Sequence, residues 1–75
     1  MLRILLRCKN VRSERIAKHL NKVIEGFKIW AYENDVYALF EIDSLEELKM
    51  ISRKLRVIKN VDFQYVRIQT VDSNA

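Results

Sequence analysis

Residues 27–58 constrain the fold of this chain more than any other segment. The stretch FKIWAYENDVYALFEI alternates between apolar and polar residues on both sides of Asn34-Asp35, which predicts two strands joined by a two-residue turn at that pair. Asparagine and aspartate tolerate the positive φ of a tight turn, which supports a turn at this pair. The expected strands therefore cover residues 27–33 and 36–42. The following DSLEELKMISRKLRVI has apolar residues three or four apart and predicts an amphipathic helix.

The segment before the hairpin predicts a strand and a helix. Residues 2–9 alternate as a strand, and one face of that strand is formed by Leu2, Ile4, Leu6 and Cys8. Ser13 is the expected N-cap of a helix over about residues 14–25, and Gly26 is its expected C-terminal stop.

The second helix has a clear start and an ambiguous end. It opens with a capping box in which Ser44 and Glu47 satisfy free backbone amides reciprocally. Its apolar stripe is formed by Leu45, Leu48, Ile51, Leu55 and Ile58. Residues 61–70 fit either a fourth strand or an extension of the helix through Tyr65, and the β-branched and aromatic residues of this segment favour the strand.

The resulting order is strand, helix, strand, strand, helix, followed by the candidate fourth strand. This βαββα(β) order predicts an α+β fold of the ferredoxin-like kind, with an antiparallel sheet and two helices on one of its faces. We expect residues 1–70 to form a single domain and residues 71–75 to form a flexible tail. A chain of 75 residues buries only about 60–65% of its unfolded surface, so its core is thin unless a partner covers more of it.

Composition argues against several functional classes. Cys8 is the only cysteine, so no internal disulfide can form, and a small domain without disulfides indicates a reducing, cytoplasmic setting. His19 has no cysteine, aspartate or second histidine at ligand spacing, and the single glycine rules out a glycine-rich phosphate loop. The acids of residues 35–47 are accounted for as caps and turn residues. We therefore expect a protein that is not an enzyme, with no catalytic residue, no metal and no cofactor.

Charge is distributed unevenly along the chain, whose net charge is +4. Residues 1–30 carry eight Lys or Arg against two Glu, residues 31–47 carry six acids and no base, and residues 48–59 carry five bases and no acid. This striping suits an anionic partner such as RNA, and it is equally typical of a solvated surface. No apolar run approaches the roughly 18 residues of a membrane-spanning helix, so we expect no membrane partner.

The sheet face turned away from the helices is the strongest candidate for a binding site. Residues on that face that suit a protein partner are Trp30, Tyr32, Tyr37 and Leu39. Basic neighbours that suit the phosphates of a nucleic acid are Arg3, Arg7, Lys9 and Lys28. We rank contact with protein above contact with nucleic acid, and contact with nucleic acid above an idle surface.

The second helix carries a further candidate surface. Met50 and Val57 fall outside its apolar stripe, with Lys54 between them, and together they form a narrow seam. A seam of this kind suits docking against a helix of another subunit.

Several motifs stand at a spacing known from one family: Leu5-Leu6-Arg7, Asn34, Asp43 and the run Ile51-Ser52-Arg53-Lys54-Leu55-Arg56-Val57-Ile58. In these motifs the chain resembles the small dimerising subunit of the KEOPS complex, which takes part in threonylcarbamoyladenosine modification of tRNA. The resemblance implies a non-catalytic subunit, or a paralogue of it, that pairs with itself or with a paralogous subunit. It also implies that its helices bundle with the catalytic ATPase-fold subunit, that Met50, Lys54 and Val57 contact that subunit, and that the basic stripe helps to bring tRNA near.

The C-terminal part of the chain is similar to a different family. SLEELKMISRKLRVIKNVDFQYVRIQTV resembles the last helix and strand of the stand-alone amino-acid-sensing domain of Lrp-type regulators, an ACT-like βαββαβ dimer. A fourth strand over residues 63–70 favours this second family, whereas a helix running through Tyr65 favours the KEOPS-type subunit. The hairpin is short for the second family and lacks its glycine-bearing effector loop. A small RNA-binding protein remains a third alternative.

Overall fold

A four-stranded antiparallel sheet and two helices account for most of the chain in a computed structural model, which describes residues 1–71. The elements in chain order are β1 (Leu2–Lys9), α1 (Ser13–Leu20), β2 (Phe27–Tyr32), β3 (Asp35–Ile42), α2 (Leu45–Leu55) and β4 (Asp62–Thr70). The strands lie in the order β2-β3-β1-β4, so β2 and β4 are the edges of the sheet. The chain is therefore an α+β protein, and its C-terminal segment is a strand rather than an extension of α2.

One face of the sheet carries the hydrophobic core. Alternate residues of the two central strands are buried there, namely Ile4, Leu6, Cys8, Val36, Ala38, Phe40 and Ile42. The helices add their apolar stripes to the same cluster through Ile16, Leu20, Leu48, Ile51 and Leu55. Because side chains alternate along a strand, the intervening residues of β1 and β3 all lie on the opposite face of the sheet.

The first helix is shorter than the sequence pattern predicts. It begins at Ser13 itself, with Arg12 as its N-cap and no side-chain capping bond, so the prediction of Ser13 as N-cap is wrong. It ends at Leu20, after which the N–H of Ile24 still donates to the Leu20 carbonyl within a series of turns. Ile24 stays buried in that turn, which is why the apolar periodicity continues beyond the helix. Gly26 has no positive φ and is not the predicted helix stop.

The hairpin turn lies one residue earlier than predicted. Tyr32 pairs with Asp35, so the two loop residues are Glu33 and Asn34, and the prediction of a turn at Asn34-Asp35 is wrong. Glu33 has a φ of 57°, whereas Asn34 has no positive φ. The assignment of side chains to the two faces is unaffected, because the register still places Trp30 opposite Tyr37.

Glu33→Gly is expected to stabilise the protein by about 0.5–1 kcal/mol. A non-glycine residue in the left-handed region carries a steric cost of roughly 1–2 kcal/mol, which exceeds the entropic cost of glycine in the unfolded chain. Thermal unfolding followed by circular dichroism measures the gain. Asn34→Gly is the matched control in the same loop and is expected to destabilise slightly, since its backbone needs no glycine. A lower melting temperature for Glu33→Gly contradicts the assigned turn.

The second helix begins as predicted, with one change of partner. The Ser44 hydroxyl accepts from the Glu47 N–H at 3.3 Å, and the Glu47 carboxylate accepts from the Asp43 N–H at 3.0 Å, rather than from that of Ser44. Ile58 is buried in the turn after the helix end. Leu45, predicted as part of the buried stripe, is instead 58% exposed, because it lies over a groove beside β4.

The last strand contains an irregularity at Val66. Leu6 pairs with Tyr65 and Leu5 pairs with Arg67, so Val66 is a bulge between them. The N–H of Val71 donates to the Met1 carbonyl at 2.9 Å. The rest of the predicted flexible tail, residues 72–75, lies outside the described residues. No helix within residues 1–71 has the length and apolar character needed to cross a membrane.

Candidate interaction surface

The sheet face opposite the core presents its side chains in rows that run across all four strands. One row contains Trp30, Tyr37, Arg7 and Gln64, and the next contains Lys28, Leu39, Leu5 and Arg67. We call this surface the open face and define it by Arg3, Leu5, Arg7, Lys9, Lys28, Trp30, Tyr32, Tyr37, Leu39, Gln64 and Arg67. The register thus brings together all the residues that the sequence analysis assigned to this sheet face.

The centre of the open face is apolar and aromatic. The rings of Trp30 and Tyr37 are stacked, with centroids 5.8 Å apart and an interplanar angle of 12°. Leu5 and Leu39 lie in the adjacent row and are half-buried. Trp30 nevertheless remains 41% exposed. A tryptophan that keeps this much contact with water beside other apolar side chains is typical of the anchors of protein interfaces.

Arg7 is held firmly in the row of the aromatic pair. Its guanidinium donates to the Gln64 side-chain carbonyl, and its Nε lies 3.9 Å from a carboxylate oxygen of Asp35. The Nε is buried and has no hydrogen-bond partner among the described residues. Arg7 therefore supplies a positive charge beside Tyr37, and the nearby Asp35 partly offsets that charge.

Two of the other four cations of the open face, Arg3 and Lys9, lie opposite acids. Arg3 forms a salt bridge of 3.1 Å with Glu41 on the neighbouring strand. Lys9 lies in register with an aspartate on each side, one on β3 and one on β4. Lys28 and Arg67 face leucines in their cross-strand pairs. The acids beside Arg3 and Lys9 reduce the positive field of the surface, whereas Lys28 and Arg67 have no acid in their cross-strand pairs.

The predicted seam on α2 is less regular than expected. Met50 and Val57 are 40% and 70% exposed, and Lys54 is also exposed. Val57, however, lies in the turn that follows the helix end, so the three residues do not share one helical stripe. Because α2 packs on the core side of the sheet, this seam and the open face lie on opposite sides of the molecule.

The reactive side chains lie outside the open face. Cys8 is fully buried in the core, and burial raises the pKa of its thiol to about 12, so little of it is the nucleophilic thiolate. The Nδ1 of His19 lies 2.9 Å from the Arg15 carbonyl of its own helix. Across residues 1–71, no group of three or more His, Cys, Asp or Glu is placed to hold a metal ion.

The sequence analysis missed the contribution of β4 to the open face. Gln64 and Arg67 both lie on it, although strict alternation places residue 67 on the core side together with Phe63 and Tyr65. The bulge at Val66 reverses the alternation. The signal that could have revealed it is a change of phase in the apolar alternation, which runs through Val61, Phe63 and Tyr65 and then through Val66 and Ile68.

Comparison of the chain with protein-family models, with curated proteins and with solved structures finds no match in any of the three.

Proposed function

We propose that this chain is a non-catalytic assembly subunit that pairs with a second copy of itself, or with a paralogous subunit, through the open face. The observation that carries the proposal is the apolar centre of that face, where Trp30 stacks on Tyr37 beside Leu5 and Leu39. A domain this small buries little surface by itself, and covering a second apolar face adds about 25 cal/mol per Å² of apolar area removed from water.

The fold class within this proposal is ferredoxin-like. The element order βαββαβ and the strand order β2-β3-β1-β4 support it, as does the contribution of both helices to a single core. A sheet covered by helices on one face leaves its other face for a partner, which fits an assembly role.

The complex that we favour is a KEOPS-type tRNA-modifying complex in the cytoplasm, in which this chain acts as the small dimerising subunit or as a paralogue of it. The motifs of β1, the hairpin and α2 support this choice. Met50 and Lys54 are exposed on α2, on the side of the sheet opposite the proposed dimer surface, and are available to a catalytic subunit. In this arrangement, the basic residues lie near the tRNA without contributing any chemistry.

A specific observation favours a second candidate, the stand-alone ACT-like regulatory dimer. Residues 62–70 form a fourth strand, which is the arrangement of that family, whereas a helix running through Tyr65 was expected for the KEOPS-type subunit. The two-residue loop Glu33-Asn34 remains too short to form its effector loop. Both candidates require self-association, and they differ in whether an amino acid or a tRNA-modifying enzyme is bound.

Trp30→Ala is expected to weaken self-association by at least about thirtyfold, because an aromatic anchor at the centre of an interface typically contributes 2 kcal/mol or more. Sedimentation equilibrium over a range of concentrations measures the change. Met50→Ala is the matched control, since Met50 is about equally exposed but lies on the opposite side of the sheet, and it is expected to self-associate like the wild type.

A wild-type protein that stays monomeric at high concentration and recovers no partner from native extract contradicts the assembly role. Loss of RNA retention in the double variant Trp30→Ala with Arg7→Ala, with self-association intact, supports the RNA-binding alternative instead. Mass spectrometry of the partners distinguishes the two candidates: an ATPase-fold tRNA-modifying protein supports the first. A transcription regulator, or a rise in melting temperature with a free amino acid, supports the second.

A further inference from the structure

A groove runs between α2 and β4 on the core side of the sheet. The hydroxyls of Ser52 on α2 and Tyr65 on β4 are hydrogen-bonded across it and divide it into two parts. The larger part has a volume of about 490 Å³, and its lining includes Leu45, Leu48, Lys49, Arg53 and Arg56. The smaller part, of about 230 Å³, lies beside Leu55, Val61 and Phe63. We call the two parts together the α2–β4 groove.

The apolar floor of this groove is only partly covered by the chain itself. Leu45 is 58% exposed although it belongs to the apolar stripe of α2. Ile68 does not line the groove, but it lies on the core side of β4, opposite the buried Ile4, and is 48% exposed. The helical layer therefore ends before the β4 edge, which leaves aliphatic surface open at the border of the core.

The rim of the groove is basic along its larger part, whereas Asp62 lines the smaller part. Lys49, Arg53 and Arg56 line its larger part, and none of them forms a salt bridge within residues 1–71. The Glu47 carboxylate, in the first turn of α2, accepts a hydrogen bond from the Asp43 N–H and forms no salt bridge with these cations. Three cations around an apolar floor are complementary to a ligand that combines carboxylates with apolar side chains.

We propose that the α2–β4 groove binds a short acidic segment of another protein. Leucine, isoleucine or phenylalanine side chains of that segment fill the groove beside Leu45 and Leu48, and its carboxylates pair with Lys49, Arg53 and Arg56. The larger part of the groove has Leu45 and Leu48 on its floor, and the one aromatic side chain that lines it, Tyr65, is hydrogen-bonded to Ser52. This lining suits apolar side chains of a peptide better than RNA, whose bases stack on aromatic platforms. The inference goes beyond the assembly role, because the groove and the open face lie on different sides of the sheet.

The dimensions of the groove set the length of the segment. The 11 residues of α2 span about 16 Å, which about five residues of extended chain can follow. The bulge at Val66 interrupts the row of backbone groups along the β4 edge and so disfavours the addition of a long partner strand. Recognition therefore depends on side chains in the groove rather than on the strand edge.

The test is selection from a random peptide library displayed on phage, followed by fluorescence anisotropy with the fluorescein-labelled consensus peptide. We expect a consensus in which Asp or Glu alternates with Leu, Ile or Phe. Arg53→Glu is expected to weaken its binding by about tenfold or more, since charge reversal replaces an attraction with a repulsion. Lys59→Glu makes the same charge change at an exposed residue of the turn after α2, which does not line the groove, and is expected to leave the affinity within about threefold.

Several outcomes overturn the inference: a selection that yields no binder, a consensus without acidic enrichment, or equal affinity for the Arg53 and Lys59 variants. Loss of tRNA binding in Arg53→Glu, with peptide binding unchanged, also overturns it and makes the groove a nucleic-acid site. Sedimentation equilibrium on the same variants tests the proposed self-association separately from peptide binding. Arg53→Glu is expected to self-associate like the wild type, whether or not it binds the peptide.

Discussion

Ile51→Ala is expected to lower the free energy of unfolding by about 2–5 kcal/mol. Ile51 is fully buried in the middle of the α2 stripe, where it joins the single core cluster of the chain. The truncation removes apolar contacts and leaves a cavity that the surrounding side chains fill only in part. Because small domains typically unfold with only about 5 kcal/mol, this loss leaves the protein close to its limit of stability.

Urea denaturation followed by circular dichroism measures the effect, and the melting temperature is expected to fall by about 10 °C or more. Met50→Ala is the matched control on the same helical turn. Met50 is 40% exposed, and its truncation is expected to change the stability by no more than about 0.5 kcal/mol. Equal effects of the two substitutions contradict the orientation of α2 on the sheet.

The core could be predicted from the sequence because two periodicities mark it directly. Alternation along residues 2–9 places Ile4, Leu6 and Cys8 on one face, and all three are fully buried. In α2, the spacing of three and four residues identifies Ile51 and Leu55 in the same way. Both patterns reflect burial alone, since apolar residues recur at the period with which each element turns a side chain toward the core.

The ends of the elements could not be predicted, since several local solutions satisfy the same pattern. A turn buries Ile24 as well as a helix would. The apolar periodicity therefore did not reveal that α1 ends at Leu20. Asn34 is the better residue for a positive φ, yet Glu33 adopts it, because the pairing of Tyr32 with Asp35 determines the loop. Tertiary pairing overrides local preference at both places.

The sequence predicted which residues lie on the open face, but not how the charged ones pair with acids. Trp30 and Tyr37 follow from alternation, and the strand register brings their rings together. The pairing of Arg3 with Glu41 joins residues 38 positions apart and depends on the β1–β3 register, which composition does not reveal. A count of basic residues therefore does not give the charge that this face presents.

Ala38→Glu and Leu39→Glu place the same charge on opposite faces of β3 and are expected to have different consequences. Ala38 is fully buried, and a carboxylate introduced there without a partner costs more than the stability of a small domain. We expect the Ala38 variant to lack the circular dichroism spectrum of the folded protein. Leu39 lies on the open face in register with Lys28, so a glutamate at that position has a cross-strand partner, and the fold is expected to persist.

Self-association separates a structural role of Leu39 from a role in the interface. The folded Leu39→Glu protein is expected to sediment as a monomer at concentrations at which the wild type pairs, because pairing buries the new carboxylate in an apolar centre. A folded Leu39 variant that still pairs like the wild type moves the interface away from the open face. A folded Ala38 variant contradicts the alternation itself, and with it the assignment of one sheet face to the core and the other to a partner.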